Sequence, residues 1–146
     1  MESQAEQNYI DLFVKNCREL KLSVTPQRLA IYKALLKHDN HPGPEIIYRS
    51  VHPENPTISK ATVYKTLETF EKYGIISRVT SLHNTVRYDP LTIRHHHIVC
   101  VKCKKVVDLD DRSLDEIKIP SHVLDNNCFI DFSVHFKVIC ADCQKN

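Results

Sequence analysis

Cys100-Val-Lys-Cys103 and Cys140-Ala-Asp-Cys143 each set two thiols at the CxxC spacing, from which two sulfurs can converge on one metal ion. Together the pairs can supply four thiolates to a single tetrahedral Zn2+. A four-thiolate site is coordinatively closed, which suits a structural role and leaves no position for a substrate. Two independent redox pairs are the alternative, but neither lies in the strand-to-helix setting of a thioredoxin motif. Cys17 and Cys128 lack such partners and read as small apolar core residues.

A second cluster precedes the first cysteine pair, at Arg94-His95-His96-His97. In an extended strand His95 and His97 point to one face and His96 to the other, so the alternate pair can chelate while the middle residue cannot. A chance histidine run is the competing reading. Further oxygen and nitrogen donors are His41 at a helix break, Asp89 at the end of a hairpin, and Asp108 beyond Cys103. Three imidazoles and two carboxylates suit Fe2+, Mn2+ or Zn2+ and, unlike four thiolates, leave iron accessible to an oxidant. Spacing alone does not bring these donors together.

The elements carrying these residues fall into two regions. Ile10, Leu12, Phe13, Cys17 and Leu20 recur at near-helical intervals and predict a helix over 7–21. Thr25-Pro26 supplies an N-cap with proline in the first turn, opening a second helix that runs to about His38. His41-Pro-Gly-Pro breaks it, and Glu45 to Val51 reads as a third, ended by His52-Pro53. Ser59 can cap a fourth helix over 59–73, with Val63, Leu67 and Phe70 as its buried stripe and Gly74 as a left-handed exit. Ile75 to Thr80 and Thr85 to Asp89 alternate as strands around Ser81-Leu-His-Asn84. Helices followed by a two-stranded wing make a winged helix-turn-helix.

From about Pro90 the chain becomes β-rich, with candidate strands His97–Val101, Val106–Leu109 and Phe129–Ile139. Between them Ser113 to Glu116 reads as a capping box opening a short helix. Fifty-odd residues make a marginal core, so this module calls for a metal staple, a partner subunit, or both.

The full chain has 146 residues, 42% of them hydrophobic and only two of them glycine, which fits a compact protein rather than a disordered or fibrous one. No apolar run spans a bilayer, and the opening Met1-Glu-Ser-Gln-Ala-Glu-Gln lacks the basic and apolar regions of a signal peptide, so a cytoplasmic protein is expected. A reducing cytosol disfavours disulfides for its six cysteines. The net charge of +2 does not announce a nucleic-acid partner, but between residues 13 and 37 Lys15, Arg18, Lys21, Arg28, Lys33 and Lys37 face only Glu19. That is either a phosphate-binding surface or a solvated helix face. On the fourth helix Lys60, Thr62, Lys65, Thr66 and Thr69 fall outside the apolar stripe, where they could enter a major groove. Tyr64 could touch a phosphate or pack beneath the helix.

Over essentially its whole length the chain resembles the ferric-uptake-regulator (Fur) family, and most closely its peroxide-sensing branch. Thr25-Pro-Gln-Arg28, Ser59-Lys-Ala-Thr-Val-Tyr-Lys-Thr-Leu67, Arg87-Tyr-Asp89 and His95-His-His-Ile-Val-Cys-Val-Lys-Cys103, answered by Cys140-Ala-Asp-Cys143, agree in order. The resemblance implies an α+β chain: a winged helix-turn-helix DNA-binding domain over 1–90 and a small α/β dimerisation domain over 91–146, with structural Zn2+ on Cys100, Cys103, Cys140 and Cys143. It further implies a regulatory Fe2+ or Mn2+ at the hinge, held by His41, Asp89, His95, His97 and Asp108. DNA contacts fall on Lys60, Thr62, Tyr64, Lys65 and Thr66.

Aspartate at both carboxylate positions matches the peroxide-sensing branch, in which bound Fe2+ reacts with hydrogen peroxide and a ligand histidine, His41 or His95, is oxidised. The expected protein is therefore a homodimeric repressor of operator DNA, with peroxide as signal and not substrate. An iron-responsive repressor is the alternative. Lys65 follows Tyr64 as a basic residue does in iron sensors. Phe132 occupies the position of a histidine used for a third metal site in some members, so that site is not expected, and His122 and His135 read as surface or hydrogen-bonded residues.

Two other classes compete. A metalloenzyme would use the same His and Asp donors but would need an open coordination position and repeated turnover. A zinc-stapled interaction module would explain the cysteines but not the capped helix and wing.

Overall fold

The computed structural model describes residues 3–38, 41–80, 86–90 and 95–145. The chain divides into two compact units, Met1–Thr92 and Ile93–Asn146.

In the first unit the helices are α1 (Gln4–Glu19), α2 (Pro26–Leu36), α3 (Pro44–Val51) and α4 (Lys60–Lys72), followed by strands β1 (Ser77–Thr80) and β2 (Val86–Asp89). Local chemistry sets their starts. The Ser3, Thr25 and Ser59 hydroxyls accept from the amides of Glu6, Arg28 and Thr62 at 3.1, 3.2 and 3.1 Å, each satisfying one amide that helix geometry orphans. Pro26 and Pro44 stand in first turns, where a missing N–H costs nothing. The exit from α4 is Gly74 at φ +71°, a left-handed conformation that glycine adopts without strain.

Phe13, Tyr32 and Phe70 join three helices at the centre of the core: the Phe13 and Tyr32 rings stack at 4.2 Å, and Phe70 meets Phe13 edge-on at 5.4 Å. Val63, Leu67 and Phe70 are fully buried, as the helical stripe requires, and Cys17 lies at 0% exposure in the same core. β1 and β2 pair antiparallel from Ser77 opposite Asp89 to Thr80 opposite Val86. The four helices and this two-stranded wing form the expected winged helix-turn-helix. The turn Ser81–Asn84 lies outside the described residues.

The second unit is a three-stranded sheet in the order β4-β3-β5, from β3 (His96–Cys100), β4 (Val106–Leu109) and β5 (His135–Val138), with short helices α5 (Arg112–Asp115), α6 (Ser121–Leu124) and α7 (Ala141–Gln144). β3 is central, antiparallel to β4 and parallel to β5.

Two local expectations are corrected here. The cap of α5 is Asp111, not Ser113: its carboxylate accepts from the Ser113 amide at 2.9 Å and the Ser113 hydroxyl at 2.6 Å, so Ser113 is itself held by the cap. The third strand is also shorter than Phe129–Ile139. The Phe132 amide donates to the Asp131 carboxylate and the Val134 amide to His96 Nδ1, and amides engaged this way are withdrawn from a ladder.

Candidate metal centres and DNA-reading surface

The cysteine site is built by β3, the turn behind it and the start of α7. Cys100 ends β3, Cys103 closes the turn, and Cys140 caps α7, which carries Cys143. The turn is tied by the Lys104 amide to the Cys100 carbonyl at 3.0 Å and the Cys100 amide to the Lys105 carbonyl at 2.9 Å. The four sulfurs lie within 4.8 Å of one another, with Cys100–Cys143 and Cys103–Cys140 both at 3.8 Å.

Their acidities are pulled apart. Amide donors from Cys103 and Cys140 onto the Cys100 sulfur bring its thiol down to about 6. Cys143, bonded to the Cys140 sulfur and partly desolvated, is pushed up to about 12. One thiolate forms readily and the last is resisted by its neighbours; a divalent cation removes that resistance. Four converging thiols are a donor set for structural zinc, whose tetrahedral coordination four thiolates complete.

Histidine and aspartate donors come together within each unit. In the first, His41 Nδ1 lies 3.4 Å from Asp89 Oδ2, and both side chains are buried. In the second, His95 Nε2 and His97 Nε2 lie 3.2 and 3.3 Å from the same Asp108 Oδ1. Register explains the latter: His97 and Asp108 are direct cross-strand partners, and His95 lies one alternation away on the same face, its ring 4.7 Å from that of His97.

His96 points the other way, as strand alternation demands. It is fully buried, its Nδ1 accepting from the Val134 amide at 3.0 Å and its Nε2 lying 2.8 Å from Asp115 Oδ1. An Nδ1 that accepts carries no proton, so Nε2–H donates to Asp115 and both nitrogens are committed. The Phe132 ring stands 6.0 Å from His96, and His135 Nε2 pairs with the Ser133 hydroxyl at 3.1 Å. His122 is exposed. The His96–Asp115 pair was not foreseen; the only sequence signal for it was the odd place of His96 in the run. Cys128, expected in the core, is exposed.

On α4, Lys60, Tyr64 and Lys65 are exposed and Thr62 is half-exposed. Thr66 is corrected: at 7% exposure it lies inside the buried face, because it is three residues from Val63, four from Phe70 and adjacent to Leu67. It does not share the outward surface. Lys60 Nζ meets Glu45 Oε2 at 3.0 Å and stands over the Tyr48 ring at 5.6 Å, which ties the start of α4 to α3.

A winged helix followed by a zinc-ready α/β unit with adjoining histidine and carboxylate donors defines a class of metal-binding DNA regulators. The chain belongs to the ferric uptake regulator family, whose model matches residues 19–129. It is 32% identical over 144 residues to the peroxide-responsive repressor PerR of Staphylococcus saprophyticus, a match spanning 98% of this chain and 97% of that one. Its fold superposes on the Campylobacter jejuni peroxide stress regulator with a TM-score of 0.66 at 32% identity, over 92% of this chain and 98% of that one. It superposes on the Helicobacter pylori ferric uptake regulator Fur with a TM-score of 0.75 at 22% identity, over 97% and 95%. Among the described residues, no helix is long and apolar enough to cross a membrane.

Proposed function

We propose that this chain is a metal-dependent transcriptional repressor that binds operator DNA as a homodimer and lets go when peroxide oxidises a histidine of its regulatory site. DNA binding belongs to residues 1–90 and metal-dependent dimerisation to residues 91–146. Structural Zn2+ sits on Cys100, Cys103, Cys140 and Cys143. The regulatory ion, Fe2+ or Mn2+, takes His41 and Asp89 from the first domain and His95, His97 and Asp108 from the second.

The observation that carries this reading is the paired donor chemistry: one short aspartate against one imidazole in the first unit, and one against two imidazoles in the second. Such nitrogen and oxygen sets hold Fe2+ or Mn2+ without closing the ion off. Bound Fe2+ would give one electron to start peroxide cleavage and regain one as the imidazole is oxidised, so that the two electrons peroxide takes come in the end from the histidine. The net change is the addition of one peroxide oxygen to an imidazole carbon of His41 or His95, with water released. A ligand so modified binds metal poorly, and repression ends. The relatives at 32% identity are named for peroxide response, which supports the same branch.

Lys60, Thr62, Tyr64 and Lys65 supply the reading surface, entering a major groove from the N-terminal half of α4. The second unit's apolar exposure supports the dimer: Val107, Phe136, Val138 and Ile139 on and beside its sheet strands, and Ile130 at 89%, are all exposed in the single chain.

The deciding experiment is operator binding by the purified protein loaded with Fe2+ or with Mn2+, before and after peroxide. Release from iron-loaded protein with retention by manganese-loaded protein is expected. Indifference of the iron-loaded protein would make it an iron-responsive repressor instead.

A further inference from the structure

Three consecutive residues, His41, Pro42 and Gly43, each meet the wing strand β2. The Arg87 guanidinium reaches the His41 carbonyl at 3.5 Å. The Tyr88 amide donates to the Pro42 carbonyl at 3.1 Å. A Cβ added at Gly43 would stand 3.0 Å from the Val86 carbonyl oxygen, tighter than an ordinary van der Waals contact, so loop and strand leave little room for a side chain there. Gly43 itself is extended, at φ −80°, a conformation open to any residue; what it provides is space.

His41, by contrast, has φ +52°. A non-glycine residue in the left-handed region is strained, and such strain persists where surrounding structure over-determines it, often at ligand clamps. The consequence of the strain is visible: it aims a buried imidazole at Asp89, the last residue of the same strand that holds the loop.

We infer that Gly43 and Arg87 are positioning residues that clamp the His41 loop onto β2, so that His41 and Asp89 form a preassembled two-ligand half-site within the first unit. This rests on the regulatory-site reading above and adds residues to it that are not ligands. The clamp acts by removing freedom: a ligand already held in place gives up less on binding an ion than one drawn in from a mobile loop. It also makes the wing strand an element through which a change at His41 reaches the rest of the first unit.

The test uses full-length, zinc-loaded protein, with Mn2+ as the probe. Gly43→Ala, whose methyl would press against the Val86 carbonyl and shift the loop by a few tenths of an ångström, is expected to weaken Mn2+ binding about tenfold by calorimetry or dye competition. Arg87→Met is expected to weaken it several-fold, and Arg87→Lys to recover part of the loss. Because the defect lies in ligand placement, the Mn2+ midpoint of operator binding should shift by the same factor while the plateau at saturating Mn2+ is kept. The His41 ring resonances of the metal-free protein should also move in Gly43→Ala.

Parental Mn2+ affinity in both Gly43→Ala and Arg87→Met would overturn the clamp. So would a loss of operator affinity in Arg87→Met that saturating Mn2+ does not restore, since Arg87 would then be a phosphate contact. His41→Ala and Asp89→Ala separate this from failure of the regulatory site: if they too bind Mn2+ as the parent does, the site reading falls, whereas if they lose Mn2+ and the clamp variants do not, only the clamp falls.

Discussion

Asp108 places one carboxylate oxygen against two imidazoles at once, 3.2 Å from His95 and 3.3 Å from His97. A shared oxygen of this kind makes the site sensitive to side-chain length. Asp108→Glu keeps charge and donor atoms but adds a methylene beside a cross-strand partner fixed by register, so the carboxylate must swing or the histidines must move. Metal binding tolerates such adjustment better than chemistry does, where small misplacements can cost on the order of 10²-fold. We expect Asp108→Glu to repress with Fe2+ and to release DNA after peroxide at least tenfold more slowly. Peptide mass spectrometry at His41 and His95 is the check; equal oxygen addition in parent and variant would remove Asp108 from the sensing chemistry. At this scale the sequence spoke clearly where one residue type has few uses, as with the cysteine pairs and the alternating His95 and His97. It misread Cys128, expected in the core and exposed, and Thr66, expected outside the apolar stripe and buried, because a small side chain reads equally well as inside or outside.

Among the elements, α4 is the one to which the proposed function gives DNA reading, and its first turn is capped by Ser59. The hydroxyl accepts the Thr62 amide at 3.1 Å and lies 3.0 Å from the Thr62 hydroxyl. Ser59→Ala should therefore cost about 1 kcal/mol, seen as a lower denaturant midpoint with zinc content unchanged. Since Lys60 and Thr62 lie in that turn, operator affinity should fall alongside; an unaltered midpoint would mean the turn is held by tertiary packing alone. The helices of the first unit were legible because caps, prolines and 3.6-residue periodicity agree there. The second unit was less so. Its last strand lies parallel to β3 and starts only at His135, a boundary set by what Asp131 and His96 do with two amides. Long-range pairing of that kind leaves no periodic trace. The cap of α5 failed for a narrower reason: Asp111 and Ser113 both offer an oxygen near the same turn, and the longer-reaching carboxylate took both the amide and the hydroxyl of its rival.

For the molecule as a whole, the two units differ in what holds them. Among the described residues, seventeen of the twenty buried hydrophobic side chains lie in the first unit and three, Val99, Cys100 and Val106, in the second. A core of three small residues cannot offset the ordering of some fifty, at roughly 1–2 kcal/mol each for the backbone alone. On the reading proposed above, bound zinc and a second copy of the chain supply the balance. Cys143→Ser replaces one sulfur with a weak ligand and opens the staple. We expect it to lose zinc, sediment as a monomer and lose operator binding. The helical far-UV signal should largely survive, because α1 to α4 close on the Phe13, Tyr32 and Phe70 core with no metal in it. Cys17→Ser is the control: buried in that core, it should lower the melting temperature while keeping zinc and dimer intact, since a buried hydroxyl costs about 1–3 kcal/mol. A zinc-free Cys143→Ser protein that remained a DNA-competent dimer would show that the apolar sheet face alone holds the second unit, and the cysteine cluster would lose its structural role.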